Sequence, residues 1–363
     1  MPSRRPLFAL ATAVLALASL ELVARLVPVP TAPAFGIAMV ADYHRIWRLD
    51  TPAAPRRGPP LYRVDADGLR VGRWQGPESA PLVLTIGDSS IFGQDVADGD
   101  TIHDRVGSEL QARGVDARTG TLAVPGYSST QAIATLDRVG WAKQPKLLVL
   151  AQLWSDAKLD VMRDEDLVAA LHSPLGEAEW LLTESALFVQ LRRGVNAALR
   201  RSATRRVSWP VSGQLGVRRV PLAQYRDNLR AIVDEARRRD VGVVFLALAN
   251  EDVLRRGHVP EASWTPYFEV FYAAAAHAGA PLVKATEAFA AVDVRRPLGD
   301  GIHPNRDGAW AIGRAVAGAL VDAGWPAQPL IPEEIPAFDV PKDDFDGVLP
   351  AEATTILGTM ADE

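Results

Sequence analysis

Leu82-Val83-Leu84-Thr85-Ile86-Gly87-Asp88-Ser89-Ser90 is the stretch of sequence that decides the fold class. Residues 82–86 form a short apolar run, which predicts a buried strand. A Gly-Asp pair and two serines follow at once, so Ser89 is expected at the carboxyl end of that strand. In parallel sheets, functional sites form at this end of the strands.

Strand-like and helix-like patterns alternate outward from this stretch. Further strands are predicted at residues 117–124, 147–150, 241–248 and 281–284, and helices at residues 101–113, 128–141, 225–239 and 307–323. Such alternation is typical of a parallel sheet covered by helices on both faces. The sequence therefore predicts an α/β fold, a three-layer α/β/α sandwich with a central, mostly parallel sheet.

A second polar motif, Asp300-Gly301-Ile302-His303-Pro304-Asn305, directly precedes the last predicted helix. A serine hydroxyl needs a base within hydrogen-bond distance to become a nucleophile, and His303 can accept that proton near neutral pH. Asp300 lies on the same loop and can bond the other ring nitrogen. Ser89, His303 and Asp300 are therefore the candidates for acyl transfer through a covalent serine intermediate.

Each motif also has a structural interpretation. Gly-Asp-Ser is a common turn sequence, Gly126 after Pro125 is by default a turn glycine, and Asn305 is a good helix N-cap. The order of the motifs and their positions at predicted strand ends favour the catalytic interpretation.

With these motifs, the chain resembles the SGNH/GDSL hydrolase family over about residues 80–325. Gly87-Asp88-Ser89-Ser90 resembles the serine block of that family, Pro125-Gly126-Tyr127-Ser128 its glycine block, and residues 300–305 its last block. The resemblance implies a flavodoxin-like SGNH hydrolase fold. It also assigns roles to the matching residues.

In the roles that the resemblance implies, Ser89 is the nucleophile, His303 is the base and Asp300 is the partner of the base. The backbone N–H groups of Ser89 and Gly126 would meet the negative oxygen of the tetrahedral intermediate. The resemblance implies no cofactor, and no metal-binding cluster is recognised in the sequence.

One block departs from the family pattern. The family has an asparagine after the third strand, whereas this chain has Gln152-Leu153-Trp154-Ser155-Asp156, with Ser155 at the asparagine position. Loss of one oxyanion-hole donor typically costs about 2.7–4 kcal/mol. Three alternatives follow: Ser155 or Gln152 supplies the donor, the enzyme is slow or specialised, or the site does not catalyse.

The N-terminus predicts export. Arg4-Arg5 precede the apolar run Leu7–Leu20, in which only Thr12 and Ser19 are polar. A basic start followed by an apolar run is typical of a signal anchor or a cleaved signal. We favour an uncleaved anchor over residues 1–27, with the remainder extracytoplasmic, in the periplasm or at the cell surface; cleavage would make the protein secreted.

The rest of the chain divides by composition. Residues 28–78 predict a Pro-rich tether and a small hairpin, and residues 79–325 the hydrolase domain. An insertion at about 157–220 is first apolar and then basic, which is compatible with a lid, a patch facing anionic lipid or polysaccharide, or a solvated helical hairpin. Residues 326–363 predict an acidic, Pro-rich tail.

Composition excludes several classes of function. The net charge is −5, which with the lack of a basic, aromatic surface argues against nucleic-acid binding. The chain has no cysteine, which excludes disulfides and thiolate metal sites. The sequence does not predict an oligomeric state.

The sequence therefore predicts a membrane-anchored serine esterase that removes a small acyl group, such as acetyl, from a carbohydrate or lipid. The first alternative is an O-acyltransferase that uses the same three residues. The second is a catalytically silent binding module in cell-envelope assembly. A phospholipase is a weaker alternative.

Overall fold

The computed structural model describes residues 5–27, 37, 39–50, 62–72, 76–94, 96–160, 162–203, 217–260 and 262–342. The chain divides into two compact units. The helical unit combines residues 1–39 with 166–211, and the sheet unit combines residues 40–165 with 212–363. The predicted tether at residues 28–36 and 51–61, residues 204–216 of the insertion, and the tail beyond 342 lie outside the described residues.

The secondary structure contains strands and helices in alternation. The strands are β1 (Met39–Asp42), β2 (Ile46–Leu49), β3 (Arg63–Val64), β4 (Arg70–Val71), β5 (Leu82–Gly87), β6 (Arg118–Thr121), β7 (Leu147–Ala151), β8 (Leu159–Asp160), β9 (Val217–Arg218), β10 (Gly242–Ala247) and β11 (Leu282–Lys284). The helices are α1 (Arg5–Leu26), α2 (Ser89–Phe92), α3 (Ile102–Ala112), α4 (Ser129–Thr135), α5 (Asp164–Leu171), α6 (Pro174–Leu182), α7 (Ala186–Ala203), α8 (Leu222–Arg238), α9 (Glu251–Arg256), α10 (Thr265–His277), α11 (Ala285–Ala291) and α12 (Arg306–Asp322).

Five strands form a parallel sheet in the order β11-β10-β7-β5-β6. Every residue of β5, β7 and β10 is buried, as expected for strands covered on both faces. The register pairs Gly87 of β5 with Ala151 of β7, so these two strands end side by side. The predicted α/β sandwich with a parallel sheet is confirmed.

The strand order reverses at β5, which places helices on both faces. The chain leaves β5 for β6 through α3 and then crosses back to β7 on the other side of β5. Because parallel crossovers are right-handed, the two directions put α3 on one face and α4, α8 and α10 on the other. Contacts agree, since α3 packs against α12, and α8 packs against α4 and α10. Ser89 follows β5 directly, at the switch point where such sheets bind ligands.

Two elements are shorter than the sequence predicts. The strand predicted at 117–124 is limited to Arg118–Thr121, so the residues before Gly126 form a loop instead of extending the sheet. The helix predicted from 101 begins at Ile102, and its N-cap is Thr101, whose hydroxyl accepts the Asp104 N–H. Asp100, the expected cap, instead forms an ion pair with Arg105.

Segments outside the sheet pack onto it at two places. The antiparallel pair β3–β4 lies where the sequence predicts a hairpin, with Gly68 at a φ of 75° in the turn. The described part of the C-terminal tail lies along β10 and α8, since the Leu330 carbonyl accepts the Val243 N–H and the Ile335 carbonyl accepts from Arg230. Ile335 is fully buried, so this part of the tail belongs to the packed sheet unit.

The helical unit contains α1 and the helices of the insertion, α6 and α7. The segment Phe8–Leu26 of α1 has 19 residues and a mean hydropathy of 1.8, so it is long and apolar enough to cross a membrane. Its side chains are almost all exposed.

Candidate active site

Ser89 stands at a sharp turn from β5 into α2. Gly87 leaves no room for a side chain, because a Cβ there would lie 2.4 Å from Ile91 Cγ1 and 3.0 Å from the Ala151 carbonyl oxygen. Asp88 is the N-cap of α2, and its Oδ1 accepts the Ser90 N–H at 3.1 Å. The turn therefore fixes the direction in which the Ser89 side chain leaves the sheet.

The structure brings together the three candidates that the sequence separates by some two hundred residues. His303 Nε2 lies 2.8 Å from Ser89 Oγ, and His303 Nδ1 lies 2.6 Å from Asp300 Oδ2. Because the carboxylate accepts the hydrogen at Nδ1, the lone pair of the neutral ring is at Nε2, facing the serine hydroxyl. This geometry allows proton transfer from Ser89 to His303.

The Asp300 carboxylate is held in its ionised form. Burial by itself would raise the pKa of Asp300, but hydrogen bonds from the His303 ring and backbone N–H and from the Ile302 N–H lower it to about 2. The carboxylate is therefore charged at any pH at which His303 can act as a base.

The loop that carries Asp300 and His303 also caps a helix. Asn305 Oδ1 accepts the N–H groups of Asp307 and Gly308, each at 3.0 Å, at the start of α12. The structural interpretation of this motif is confirmed and is compatible with the catalytic one, because Asn305 anchors the loop to α12 while the residues before it face Ser89.

Gly126 has a backbone conformation that favours glycine, with a φ of 80°. A Cβ at this position would lie 3.2 Å from Trp47 Cζ2. Trp47 also donates its indole N–H to the Pro125 carbonyl oxygen at 3.2 Å. The loop before α4 is thus held in place by a tryptophan that the sequence analysis did not single out.

Arg219 holds the same loop from the other side. Its Nη1 donates to the Gly126 carbonyl oxygen at 2.8 Å, and its guanidinium lies 5.4 Å from the centroid of the Trp47 ring. Two further bonds, of 3.0 and 2.8 Å, join it to both carboxylate oxygens of Asp164. The Arg219–Asp164 pair is buried, with 6% and 5% of the side chains exposed. In the sequence, Arg219 is one of many arginines in residues 192–219. Only its position directly after β9 distinguishes it from the others.

A second buried arginine supports α2. Arg70, in β4, donates to the carbonyl oxygens of Phe92 and Gly93, both at 2.8 Å, at the C-terminal end of α2. It also donates to Asp98 and stacks on Phe92. His103 is fully buried near this arginine, and burial lowers its pKa to about 4.

Ser155, at the asparagine position of the family, lies beside Asp88. Its hydroxyl and its backbone N–H both donate to Asp88 Oδ2 at 3.2 Å. A hydroxyl has one hydrogen, so in this rotamer Ser155 Oγ has none left for another acceptor. Gln152, the alternative donor, is fully buried, and neither atom of its amide has a partner among the described residues.

Asp156, the next residue, is buried against α4. Burial raises the pKa of its carboxyl to about 7, although the backbone N–H and the hydroxyl of Ser129 donate to it and oppose that effect. This carboxyl therefore binds its proton more tightly than a solvent-exposed aspartate.

Comparisons with known proteins give matches among solved structures. No family model matches the chain, and no curated protein matches it. A lipase/acylhydrolase from Enterococcus faecalis is 14% identical, with a TM-score of 0.44, over 71% of this chain and 100% of its own. The acetylxylan esterase Axe2 from Geobacillus stearothermophilus is 16% identical, with a TM-score of 0.43, over 68% of this chain and 95% of its own.

A third match is described as a putative lipolytic protein of the G-D-S-L family from Desulfitobacterium hafniense. It is 13% identical, with a TM-score of 0.42, over 66% of this chain and 99% of its own. These are esterases and acylhydrolases of the kind that the motifs resemble.

The ionised state of Asp300 predicts a pH-dependent stability difference. Its pKa is lowered from an ordinary value of 3.8 to about 2 in the folded chain, so its contribution to stability is present above about pH 4 and is lost as pH falls toward 2. Asp300→Asn is therefore expected to be less stable than wild type at pH 7, with a difference that shrinks between pH 5 and pH 2.5. Urea unfolding across this range measures it.

Asp307→Asn, an exposed aspartate at the start of α12, is the matched control and should show a small difference at every pH. An Asp300→Asn difference that stays constant down to pH 2.5 would contradict a depressed pKa.

The buried Arg219–Asp164 pair predicts a rescue. Arg219→Met leaves the Asp164 carboxylate buried without its partner and is expected to lower the free energy of unfolding by about 3–5 kcal/mol. Adding Asp164→Asn removes the unpaired charge and should restore part of the loss. Arg238→Met, at an exposed arginine, should change stability by less than about 0.5 kcal/mol.

Urea unfolding of wild type, Arg219→Met, Asp164→Asn, the double variant and Arg238→Met tests this expectation. If the double variant is as unstable as the sum of the two single variants, the two side chains do not interact as a charge pair.

Proposed function

We propose that this protein is a serine ester hydrolase that removes a small acyl group, such as acetyl, from a carbohydrate or lipid. The observation that carries the proposal is the continuous line of hydrogen bonds from Ser89 Oγ through His303 to Asp300, with distances of 2.8 and 2.6 Å. A nucleophile, a base and the group that orients the base are what acyl transfer through serine requires.

In the proposed reaction, Ser89 Oγ attacks the ester carbonyl carbon while His303 Nε2 takes the hydroxyl proton. The negative oxygen of the tetrahedral intermediate is stabilised by the N–H groups of Ser89 and Gly126. His303 then returns the proton to the leaving alcohol, and the C–O bond breaks to give an acyl-serine. A water molecule, deprotonated by His303, then attacks the acyl carbon; the bond from that carbon to Ser89 Oγ breaks to release the acid, and His303 returns the proton to Ser89. Asp300 stabilises the imidazolium in both steps.

Ser155 is the proposed third donor to the oxyanion. Its hydroxyl bonds Asp88 in the resting site, so the hydrogen must rotate away from that carboxylate to reach the substrate. Such a rotation exchanges one hydrogen bond to a charged acceptor for another, and it lowers the benefit of the donor relative to a fixed amide.

The chain is further proposed to be anchored to a membrane by α1, with the catalytic domain on the extracytoplasmic side. The apolar segment Phe8–Leu26 supports the anchor, and the basic Arg4-Arg5 before it supports the orientation. A small acyl ester of an envelope carbohydrate or of a lipid would then be the accessible substrate.

A fluorophosphonate probe tests the nucleophile. The full-length protein is expected to be labelled covalently at Ser89 and to hydrolyse an aryl acetate, and Ser89→Ala is expected to lose both. Ser108→Ala, at a half-buried serine of α3 whose hydroxyl donates to the Arg105 carbonyl, is the matched control and should retain both. Mass spectrometry of the labelled peptide identifies the site.

The other possible results of this experiment favour the alternative functions. Folded wild-type protein that is neither labelled nor active would overturn the proposal and favour the silent binding module, to which the Ser155–Asp88 bond also points. Labelled protein that transfers acetyl to a sugar acceptor, and releases acetate only slowly without one, would replace the hydrolase with the acyltransferase.

The third donor is tested by comparing two substitutions. Ser155→Ala is expected to lower kcat, by at most the roughly 10²–10³-fold seen for loss of a complete donor, with little change in KM. Gln152→Met, which retains the side-chain volume, should leave kcat within a few-fold of wild type. The opposite pattern in steady-state kinetics would move the donor to Gln152.

A further inference from the structure

The hairpin formed by α6 and α7 exposes large apolar side chains. Among the described side chains of residues 166–195 none is buried. Leu181 is 71% exposed, Leu191 61% and Leu182 50%, and on α1 Leu15 is 68% exposed. An apolar surface of this extent is unfavourable in water and marks a surface that another apolar phase covers.

Glu21 joins this hairpin to α1. Its carboxylate accepts the Ser185 hydroxyl at 2.7 Å and the N–H groups of Ala186 and Leu187, both at 2.9 Å. Arg25 Nε donates to it at 2.9 Å. A carboxylate within an apolar helix is costly in lipid unless its oxygens are satisfied by donors, and here four donors are present.

The backbone at the tip of the hairpin is satisfied without water. A helix leaves its first four N–H groups without intrahelical partners. In α7, Glu21 accepts two of them, the Ser185 hydroxyl accepts the Phe188 N–H, and the Ser185 carbonyl accepts the Val189 N–H.

The end of α6 is satisfied in the same way. The Thr183 hydroxyl donates to the Trp180 carbonyl at 2.6 Å, and the N–H groups of Glu184 and Ser185 donate to the carbonyls of Leu181 and Leu182. In water such groups can be left to the solvent, whereas in hydrocarbon they require partners within the protein. The backbone of the tip therefore meets the condition for burial in lipid.

The polarity of the hairpin changes along its length. At the tip, Leu181 and Leu187 line a groove with Val14, Leu17 and Ala18 of α1. Six residues into α7, Arg192 pairs with Glu179 of α6 at 2.8 Å. Gln190 bonds the Val27 carbonyl at 3.0 Å, so α7 runs alongside the C-terminal end of α1, away from its apolar middle. An apolar end followed by arginines is the arrangement found at a membrane interface.

We propose that the α6–α7 hairpin, held on α1 by Glu21, is embedded in the membrane leaflet nearest the C-terminal end of α1, with its tip among the acyl chains. The inference rests on the proposed membrane anchoring of α1. The occupant of the apolar surface is lipid, because that surface continues the lipid-facing surface of α1 at the same depth.

The absence of cysteine in the sequence makes a site-specific test direct. Leu181→Cys in the full-length chain is labelled with an environment-sensitive fluorophore and reconstituted into phosphatidylcholine vesicles. Leu15→Cys serves as the lipid reference, and Arg295→Cys, at an exposed arginine of the sheet unit, as the aqueous reference. Fluorescence is quenched either by nitroxide-labelled acyl chains or by iodide in the buffer.

We expect the fluorophore at residue 181 to be quenched by the acyl-chain nitroxide about as strongly as the fluorophore at residue 15. This quenching should be several-fold stronger than at residue 295. Iodide quenching like that of residue 295 would overturn the inference. Protection from both quenchers would also overturn it, because a protein partner or a second copy would then cover the hairpin.

The Leu15 reference separates the two proposals. If residue 15 itself is quenched by iodide, the anchoring fails. If residue 15 lies in lipid and residue 181 in water, the anchoring stands and only the embedded hairpin fails.

The role of Glu21 is tested in the same experiment. Glu21→Ala removes the acceptor for Ser185, Ala186 and Leu187, and it should raise iodide quenching at residue 181 several-fold while leaving residue 15 unchanged. Glu334→Ala, at an exposed glutamate of the sheet unit, is the control and should change neither. Unchanged quenching at residue 181 in Glu21→Ala would overturn the assignment of Glu21 as the link.

Discussion

The candidate site depends on one constraint, the close approach of the β5–α2 turn to the end of β7. Gly87 lies level with Ala151 and has no space for a Cβ, and Asp88 then caps α2 with one carboxylate oxygen and accepts from Ser155 with the other. The first residue of α2 after this cap is Ser89. The packing that ends β5 therefore also fixes the direction of the Ser89 hydroxyl. It also favours a small polar residue at position 155.

The sequence predicts the parts of the site that are local. The β5 run, the Gly-Asp-Ser turn and the Asp300–His303 loop each carry their own signal, since strand burial, turn chemistry and the spacing of a carboxylate and an imidazole all act over a few residues. The 2.8 Å distance between Ser89 Oγ and His303 Nε2 is a tertiary contact, because Ser89 follows β5 whereas the His303 loop connects α11 to α12.

The supports of the site are not local, and the sequence did not reveal them. Trp47 and Arg70 come from segments before the sheet and Arg219 from the end of the insertion, where one tryptophan or arginine resembles any other. What distinguishes them is burial together with several carbonyl acceptors, which depends on the tertiary structure alone. For the same reason, the sequence predicts a longer β6 than the structure has. The strand ends at Thr121, and the residues from there to Gly126 form a loop.

These supports explain how the end of α2 and the loop before α4 stay ordered around Ser89. Arg70 donates hydrogen bonds to two backbone carbonyls at the end of α2. Arg219 donates to the Gly126 carbonyl, and Trp47 donates to that of Pro125. A carbonyl bound by a buried donor fixes the plane of its peptide, and with it the N–H on the other side of that plane. For Gly126, the bond from Arg219 fixes the orientation of the next peptide along the chain, and the bond from Trp47 fixes the Pro125–Gly126 peptide, whose N–H is the proposed oxyanion donor. Preorganised donors of this kind need no reorganisation as charge develops, which is why backbone loops serve as oxyanion holes when buried side chains hold them from behind.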